Sequence, residues 1–388
     1  LIPQRMYAGM DVFVLLCIPG FILAGNLMNF GGITERIIRL ANAMVGWMRG
    51  GLAMANVADS MMFGGVSGTA VADVAATGGV MIPGMKKSGY TPEFAAAITA
   101  ASSTVGPMLP PSVPMIVVGA LSGISVGQLF LAGAIPGILM GLGMAITCYV
   151  LAVKNNFPRQ EWKGMRELFA AFLSAFWALA MTALILGGLM TGIATPTETA
   201  VVACIYAFVV GAFVYRELPI KAVPKIMINS AVSSAGILAL VGFANVFGSI
   251  LASERIPQML VSGVLSITDN PILVILLINC LLLVVGMFME TIAALIILFV
   301  PLLGLATSVG IDPIHFATFA VLNLMIGLTT PPIGVCLFVA TNIARVPLAG
   351  VIRAIIPFLI SNLIVLLLVS YYPPFATWLP ATLMATNP

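Results

Sequence analysis

Apolar residues fall along this chain in blocks rather than in alternation. Residues 201–213 and 272–285 are nearly continuous hydrophobic runs, and stretches of 20 or more such positions recur between Val12 and Tyr371. At 1.5 Å per helical residue, each can cross a hydrocarbon core about 30 Å thick. A transmembrane barrel would instead alternate apolar and polar positions over about ten residues. The pattern predicts an all-α polytopic membrane protein. Composition agrees: 61% of the 388 residues are hydrophobic and only 7% charged, against roughly 25% charged in a soluble domain.

Lys and Arg set the orientation, because they concentrate on the cytoplasmic side of short loops. The clusters Arg36/Arg39/Arg49, Lys86/Lys87, Lys154/Arg159/Lys163/Arg166, Arg216/Lys221/Lys225 and Arg345/Arg353 share one face if the chain crosses as follows. Residues 10–30 run inward. Segment 51–87 leaves and returns to the same side, a re-entrant hairpin. Segments 91–122, 128–153, 169–192, 196–215 and 227–252 cross alternately. Segment 271–308, with no basic residue at either end, is a second hairpin entering from outside. Segments 313–343 and 350–371 complete the path. Only Arg5 and Arg255 of the sixteen basic residues then lie outside. Helices at 31–50 and 155–168, with mixed charge beside Trp47 and Trp162, read as interfacial. Two ordinary spans per hairpin are the alternative, but about 36 residues around a glycine-rich centre is short for that.

A net charge of +3 without a basic run longer than Lys86-Lys87 gives no reason to invoke nucleic acid. Cys17, Cys148, Cys204, Cys280 and Cys336 sit singly in apolar segments, so neither a disulfide framework nor a transition-metal site follows. His315, near a helix start, reads as structural. The opening Leu1-Ile2-Pro3 reads as a loop and carries no leader pattern, so an upstream segment is expected to be missing.

The chain also matches itself at an offset of 221 residues, without a gap from Gly65 to Pro136. Gly65 pairs with Gly286, Gly89 with Gly310, Pro92 with Pro313, Gly106 with Gly327, Pro110-Pro111 with Pro331-Pro332, and Pro136 with Pro357. One copy's hairpin opens to the cytoplasm and the other's to the outside, so the copies are inverted across the membrane, a transporter architecture. The expected division is 1–50 scaffold and interfacial helix, 51–153 first transport repeat, 154–268 interfacial arm and scaffold, 269–371 second transport repeat, and 372–388 tail. Each repeat carries a small-residue hairpin tip and a helix interrupted by consecutive prolines, which remove amide donors and force unwinding. Unwound backbone within a membrane must be satisfied. A hard cation suits its carbonyls, and half-helix N-termini suit an anion.

Together, residues 10–32, Gly50-Gly51, Ser67-Gly68-Thr69-Ala70-Val71-Ala72-Asp73, Pro110-Pro111-Ser112, Thr195-Pro196-Thr197-Glu198, 286–291 and 327–334 resemble the large membrane subunit of tripartite ATP-independent periplasmic (TRAP) transporters. The resemblance implies a sodium-driven, elevator-type importer in the bacterial inner membrane. It also implies acidic solutes of the sialic acid or C4-dicarboxylate class, a periplasmic binding protein, a small four-helix membrane subunit, and a further span before Leu1. By motif it assigns a first sodium to Ser67, Thr69, Gly106, Leu109 and Pro111. The repeat offset maps these to Phe288, Glu290, Gly327, Thr330 and Pro332 for a second. Glu290 would help neutralise that ion, or else face water. Ser103, Asp73, Glu198 and Arg255 are weaker substrate candidates, and Asp59 shares the first hairpin with Asp73. A stand-alone divalent-anion/sodium symporter remains the rival. An intramembrane hydrolase lacks its nucleophile–base or HExxH pattern, so no enzyme activity is expected.

Overall fold

The structure is a computed structural model that describes residues 2–157, 159 and 161–384, with the side chains at 64–67, 252, 256–258, 260, 265 and 267 outside that description. Where the sequence suggests a loop, the chain opens with helix α1 (Ile2–Met10). A 3-10 turn (Phe13–Leu16) leads into α2 (Cys17–Phe30). Helix α3 (Ile33–Val45) is the expected amphipathic element, burying Ile33, Ile37, Leu40 and Ala41 on one face.

The first repeat follows as a hairpin of α4 (Gly51–Ser67) and α5 (Ala70–Lys87). Next come an interrupted helix, α6 (Pro92–Ser102) and α7 (Val113–Ser122), and the long α8 (Val126–Lys154). The two parts of the interrupted helix are bent by 41°. Then come α9 (Met165–Met190), α10 (Pro196–Val209) with a π-helical extension (Val210–Val214), α11 (Val223–Ser253) and α12 (Ile256–Ile267). The second repeat is α13 (Pro271–Phe288), α14 (Thr291–Ser308), α15 (Pro313–Gly327), α16 (Val335–Ala344) and α17 (Leu348–Tyr371), and α18 (Pro374–Leu383) ends the description.

Two expectations need correction. No interfacial helix spans 155–168: residues 161–164 are non-helical and Met165 already begins α9. Gly164, at φ 85°, turns the chain there. The tail at 372–388 is partly α18, started by Pro373-Pro374 and packed on α8.

The repeat is visible in the packing. Helices α5 and α14 begin 221 positions apart, as do α6 and α15. The second halves are exchanged: α7 packs on α14 of the other hairpin, and α16 packs on α5. Likewise α6 meets α17 while α15 meets α8, and α8 packs on α17. This reciprocal exchange is what a two-fold relation between like units produces. Around them, α1 packs on α11, α2 on α10 and α11, and α3 on α9.

Residues that the charge rule puts on one face are found together. Arg36 pairs with Glu217 at 2.7 Å, Arg39 with Glu167 at 2.9 Å, and Lys86 Nζ donates to Ala344 O at 3.1 Å. Both arms of the second hairpin have 18 residues, enough by length and composition for a full crossing. Tip position therefore matters more than arm length.

Candidate functional site

The proline pairs decide the local backbone. In the first interrupted helix, Met108 N bonds Val105 O at 3.0 Å and Leu109 N bonds Gly106 O at 2.9 Å, after which the chain runs extended. In the second, Thr329 N bonds Ile326 O at 3.0 Å and Thr330 N bonds Gly327 O at 2.9 Å. These are the same bonds one repeat later. Prolines beyond them offer no amide to continue the ladder, so α7 and α16 start afresh after Ser112 and Gly334.

Both hairpin tips end on helix caps. Thr69 is the N-cap of α5 and makes no side-chain cap bond; Glu290 is the N-cap of α14, and its Oε2 accepts from Ile292 N at 2.8 Å and Ala293 N at 3.3 Å. Each tip is tied to the interrupted helix of its own repeat by a backbone bond. Val113 N donates to Gly68 O at 3.3 Å, and Gly334 N donates to Met287 O at 3.4 Å. Gly68 sits at φ 66°, and a Cβ there would lie 3.1 Å from Val113 Cγ2, so the close approach requires glycine.

The tips and breaks converge on one cavity of about 540 Å³, within the usual range for a small-molecule site. Thr69, Ala70, Val71 and Ala72 line it from α5, Glu290 and Ile292 from α14, Pro114 from α7, and Val335 from α16. Four helix N-termini therefore border one space. The opposite wall is α2, through Ile22, Gly25, Asn26 and Asn29, and α11, through Ser233, Gly236 and Ile237. Among the lining residues Glu290 is the sole formal charge. The breaks differ in access: Pro111 is buried, whereas Pro332 is exposed and Phe288 is 55% exposed.

Of the residues suggested for sodium, Thr69 and Glu290 line the cavity, whereas Gly106, Leu109, Pro111, Phe288, Gly327, Thr330 and Pro332 do not. The Ser67 side chain lies outside the described residues. The Gly106 and Gly327 carbonyls already accept one bond each, and Thr330 Oγ1 donates to Ile326 O at 2.8 Å. None of the four suggested substrate contacts lines the cavity. Ser103 is buried and donates to Ala100 O at 2.8 Å. Asp73 is buried within the first hairpin, accepting from Thr77 Oγ1 at 2.9 Å. Glu198 closes a capping box at the exposed start of α10, its Oε2 accepting from Thr195 N at 2.8 Å. Arg255 is an exposed left-handed residue before α12. His315 serves packing: its Nε2 lies 2.9 Å from Val369 O.

Sequence reasoning missed Asn26, Asn29 and Ser233. Their signal was present, as two asparagines three positions apart in an apolar helix and a cluster of small residues (Ser230, Ser233, Ser234, Gly236) in another.

Like units, interrupted helices and a shared cavity with convergent helix N-termini define a polytopic helical membrane transporter. The family described as "Tripartite ATP-independent periplasmic transporter, DctM component" matches residues 1–375. The sialic acid TRAP transporter large permease SiaM of Vibrio cholerae is 41% identical over 97% of this chain and 88% of that protein. The C4-dicarboxylate large permease DctM of the same organism is 39% identical over 96% and 86%. The isethionate TRAP transporter permease DctMQ of Oleidesulfovibrio alaskensis is 38% identical over 96% of this chain and 59% of that protein. The fold is similar to the crystal structure of the Alcanivorax borkumensis YdaH transporter, with a TM-score of 0.70 over 98% of this chain and 88% of that one at 16% identity. The chain belongs to the DctM component family of TRAP transporters and is a multi-pass protein of the bacterial inner membrane. Its relatives are permeases, not enzymes.

Proposed function

We propose that this chain translocates acidic organic solutes of the sialic acid, C4-dicarboxylate or related class inward, coupled to sodium, by an elevator motion. The observation that carries the reading is the convergence of four helix N-termini on one cavity. Their amides and partial positive ends favour a carboxylate. Ala70, Val71 and Ala72 of α5 and Val335 of α16 border the cavity, which puts the first turns of both helices within reach of a ligand there.

An anion entering this cavity meets Glu290, which repels it. Sodium resolves the conflict. One ion at Phe288, Glu290, Gly327, Thr330 and Pro332 neutralises that carboxylate, and another at Ser67, Thr69, Gly106, Leu109 and Pro111 fastens the first tip to its interrupted helix. Carbonyl and hydroxyl oxygens suit such a hard cation. Substrate then binds only after sodium. Residues 51–153 and 269–371 move together as the transport domain against a scaffold that includes α2 and α11, whose small and polar residues face the cavity. Each net positive charge carried inward gains about 2.3 kcal/mol at 100 mV.

The tips' common cavity also supports re-entrant hairpins. Two hairpins based on opposite faces can share one mid-depth space only if neither crosses fully. Family membership supports two partners, a small membrane subunit and a periplasmic binding protein that delivers solute. The test is radiolabelled uptake of sialic acid, dicarboxylates and keto-acids into proteoliposomes holding the purified permease complex. Accumulation of one of them only with both sodium and the binding protein is expected. Uptake by the chain without a binding protein would favour a stand-alone symporter instead.

A further inference from the structure

The first hairpin contains two carboxylates that the proposed transport cycle does not use. Asp59 on α4 and Asp73 on α5 are both fully buried, and the two charges are close enough to repel. Asp73 Oδ1 accepts from Thr77 Oγ1, while both oxygens of Asp59 and Asp73 Oδ2 accept no well-aligned hydrogen bond, although the Thr77 hydroxyl also stands close to Asp59 and the Ser60 hydroxyl close to Asp73. Among the described residues neither aspartate forms an ion pair with Lys or Arg, and Cys336 of α16 neighbours Asp73 and lies within electrostatic range of Glu290 as well.

The fold does not need these carboxylates. In the second repeat the equivalent of Asp59 is Cys280, and that of Asp73 is Ala294. Their polar neighbours are replaced as well, Ser60 by Leu281 and Thr77 by Leu298. The same hairpin is thus built one repeat later from apolar side chains. The architectural brace is present in both copies without them. Asn56, Thr99 and Ser102 link α4 to α6, and Asn279 and Asn323 link α13 to α15.

An unpaired buried carboxylate is costly, and two facing each other are costlier. A monovalent cation between them relieves the mutual repulsion and fills the open acceptors, leaving one negative charge of the pair for the Ser60 and Thr77 hydroxyls to solvate. The open acceptors are all hard oxygens, and the Ser60 and Thr77 hydroxyls stand beside them, a donor set that suits a hard cation such as sodium rather than a thiolate- or imidazole-seeking metal. We propose that Asp59 and Asp73, with Ser60 and Thr77, hold a sodium ion inside the first hairpin, separate from the two sodium positions at the tips. This rests on the reading of the chain as sodium-coupled and adds one ion to it.

The test is equilibrium ²²Na⁺ binding to the purified permease complex, counting ions per chain. It compares wild type with Asp59→Asn/Asp73→Asn and with Asp59→Cys/Asp73→Ala, which installs the second repeat's own residues. Glu290→Gln serves as a tip-site control, and size exclusion with thermal unfolding verifies folding. The expected result is one fewer sodium ion per chain in both double variants, with substrate-site binding at the tips retained. Equal stoichiometry in wild type and either folded double variant overturns the proposal. A proton shared by the two carboxylates would give that equal stoichiometry together with a pH dependence lost in the variants, and it too overturns the sodium assignment. Loss of all sodium binding from wild type would instead overturn the sodium-coupled reading itself.

Discussion

Glu290 has two roles at a single position: Oε2 caps α14, and the side chain borders the cavity. Gln keeps an acceptor for the cap while removing the charge. Glu290→Gln is therefore expected to fold normally yet lower the apparent sodium affinity of uptake by about tenfold, near 1.4 kcal/mol; an unchanged sodium titration would refute its role. Glu198 behaves oppositely. Removing it with Glu198→Ala deletes a capping box worth about 1 kcal/mol, so the thermal midpoint should fall while the KM for solute stays the same. Glu290 was legible in the sequence because the repeat offset aligns it with Thr69 of the other tip. Asn26 and Asn29 were not, since a polar residue in an apolar helix is as often satisfied by a neighbour, and here Asn26 does bond Ser230, at 2.8 Å. Only the packing of α2 across from the tips reveals the cavity they border.

At the scale of elements, helices α13 and α15 approach through glycines. A Cβ on Gly327 would lie 2.6 Å from Gly286 Cα, with backbone that cannot yield as a flexible side chain would. Gly327→Ala should destabilise by about 1–3 kcal/mol, read as a lower midpoint in detergent; an unchanged midpoint would show that the helices part freely. The Arg36–Glu217 pair joins α3 to the loop before α11, and the guanidinium holds the Glu217 carboxyl below its ordinary value. A depressed carboxylate stabilises the fold above its unfolded value, about 4.3, and loses that contribution as pH falls through the lower folded value. The midpoint gap between wild type and Arg36→Ala should narrow on acidification, and a constant gap would contradict the pairing. Element boundaries in the repeats were legible because prolines at Pro92, Pro313 and the two Pro-Pro pairs punctuate them. The segment 155–164 and α18 were not. Mixed charge around Trp162 suits an interfacial helix as well as an irregular arm, and proline-rich 373–380 looks like a helix breaker although Pro374 stands at a helix start, where proline is tolerated.

For the whole molecule, the reciprocal exchange of α7 and α16 between hairpins makes the repeats one body, while α2 packs on it through α4 and α7, α11 through α14, and both border the cavity. An elevator motion requires this interface to slide. In a variant lacking the native cysteines, a short bis-maleimide bridge between Ile237→Cys on α11 and Ile292→Cys on α14 should abolish uptake, with each single variant active; full uptake by the bridged protein would exclude relative movement there. The inverted architecture was legible from glycine and proline spacing together with the charge bias, but not its consequence. That four helix N-termini meet in one space depends on three-dimensional closure of distant segments. The most direct test imposes sodium gradients of increasing size on proteoliposomes containing the permease complex and binding protein, and measures steady-state solute accumulation. The account predicts that accumulation rises with the gradient, increases further with an inside-negative potential, and vanishes when sodium is equal on both sides at zero potential. Accumulation that is independent of the sodium gradient would contradict it.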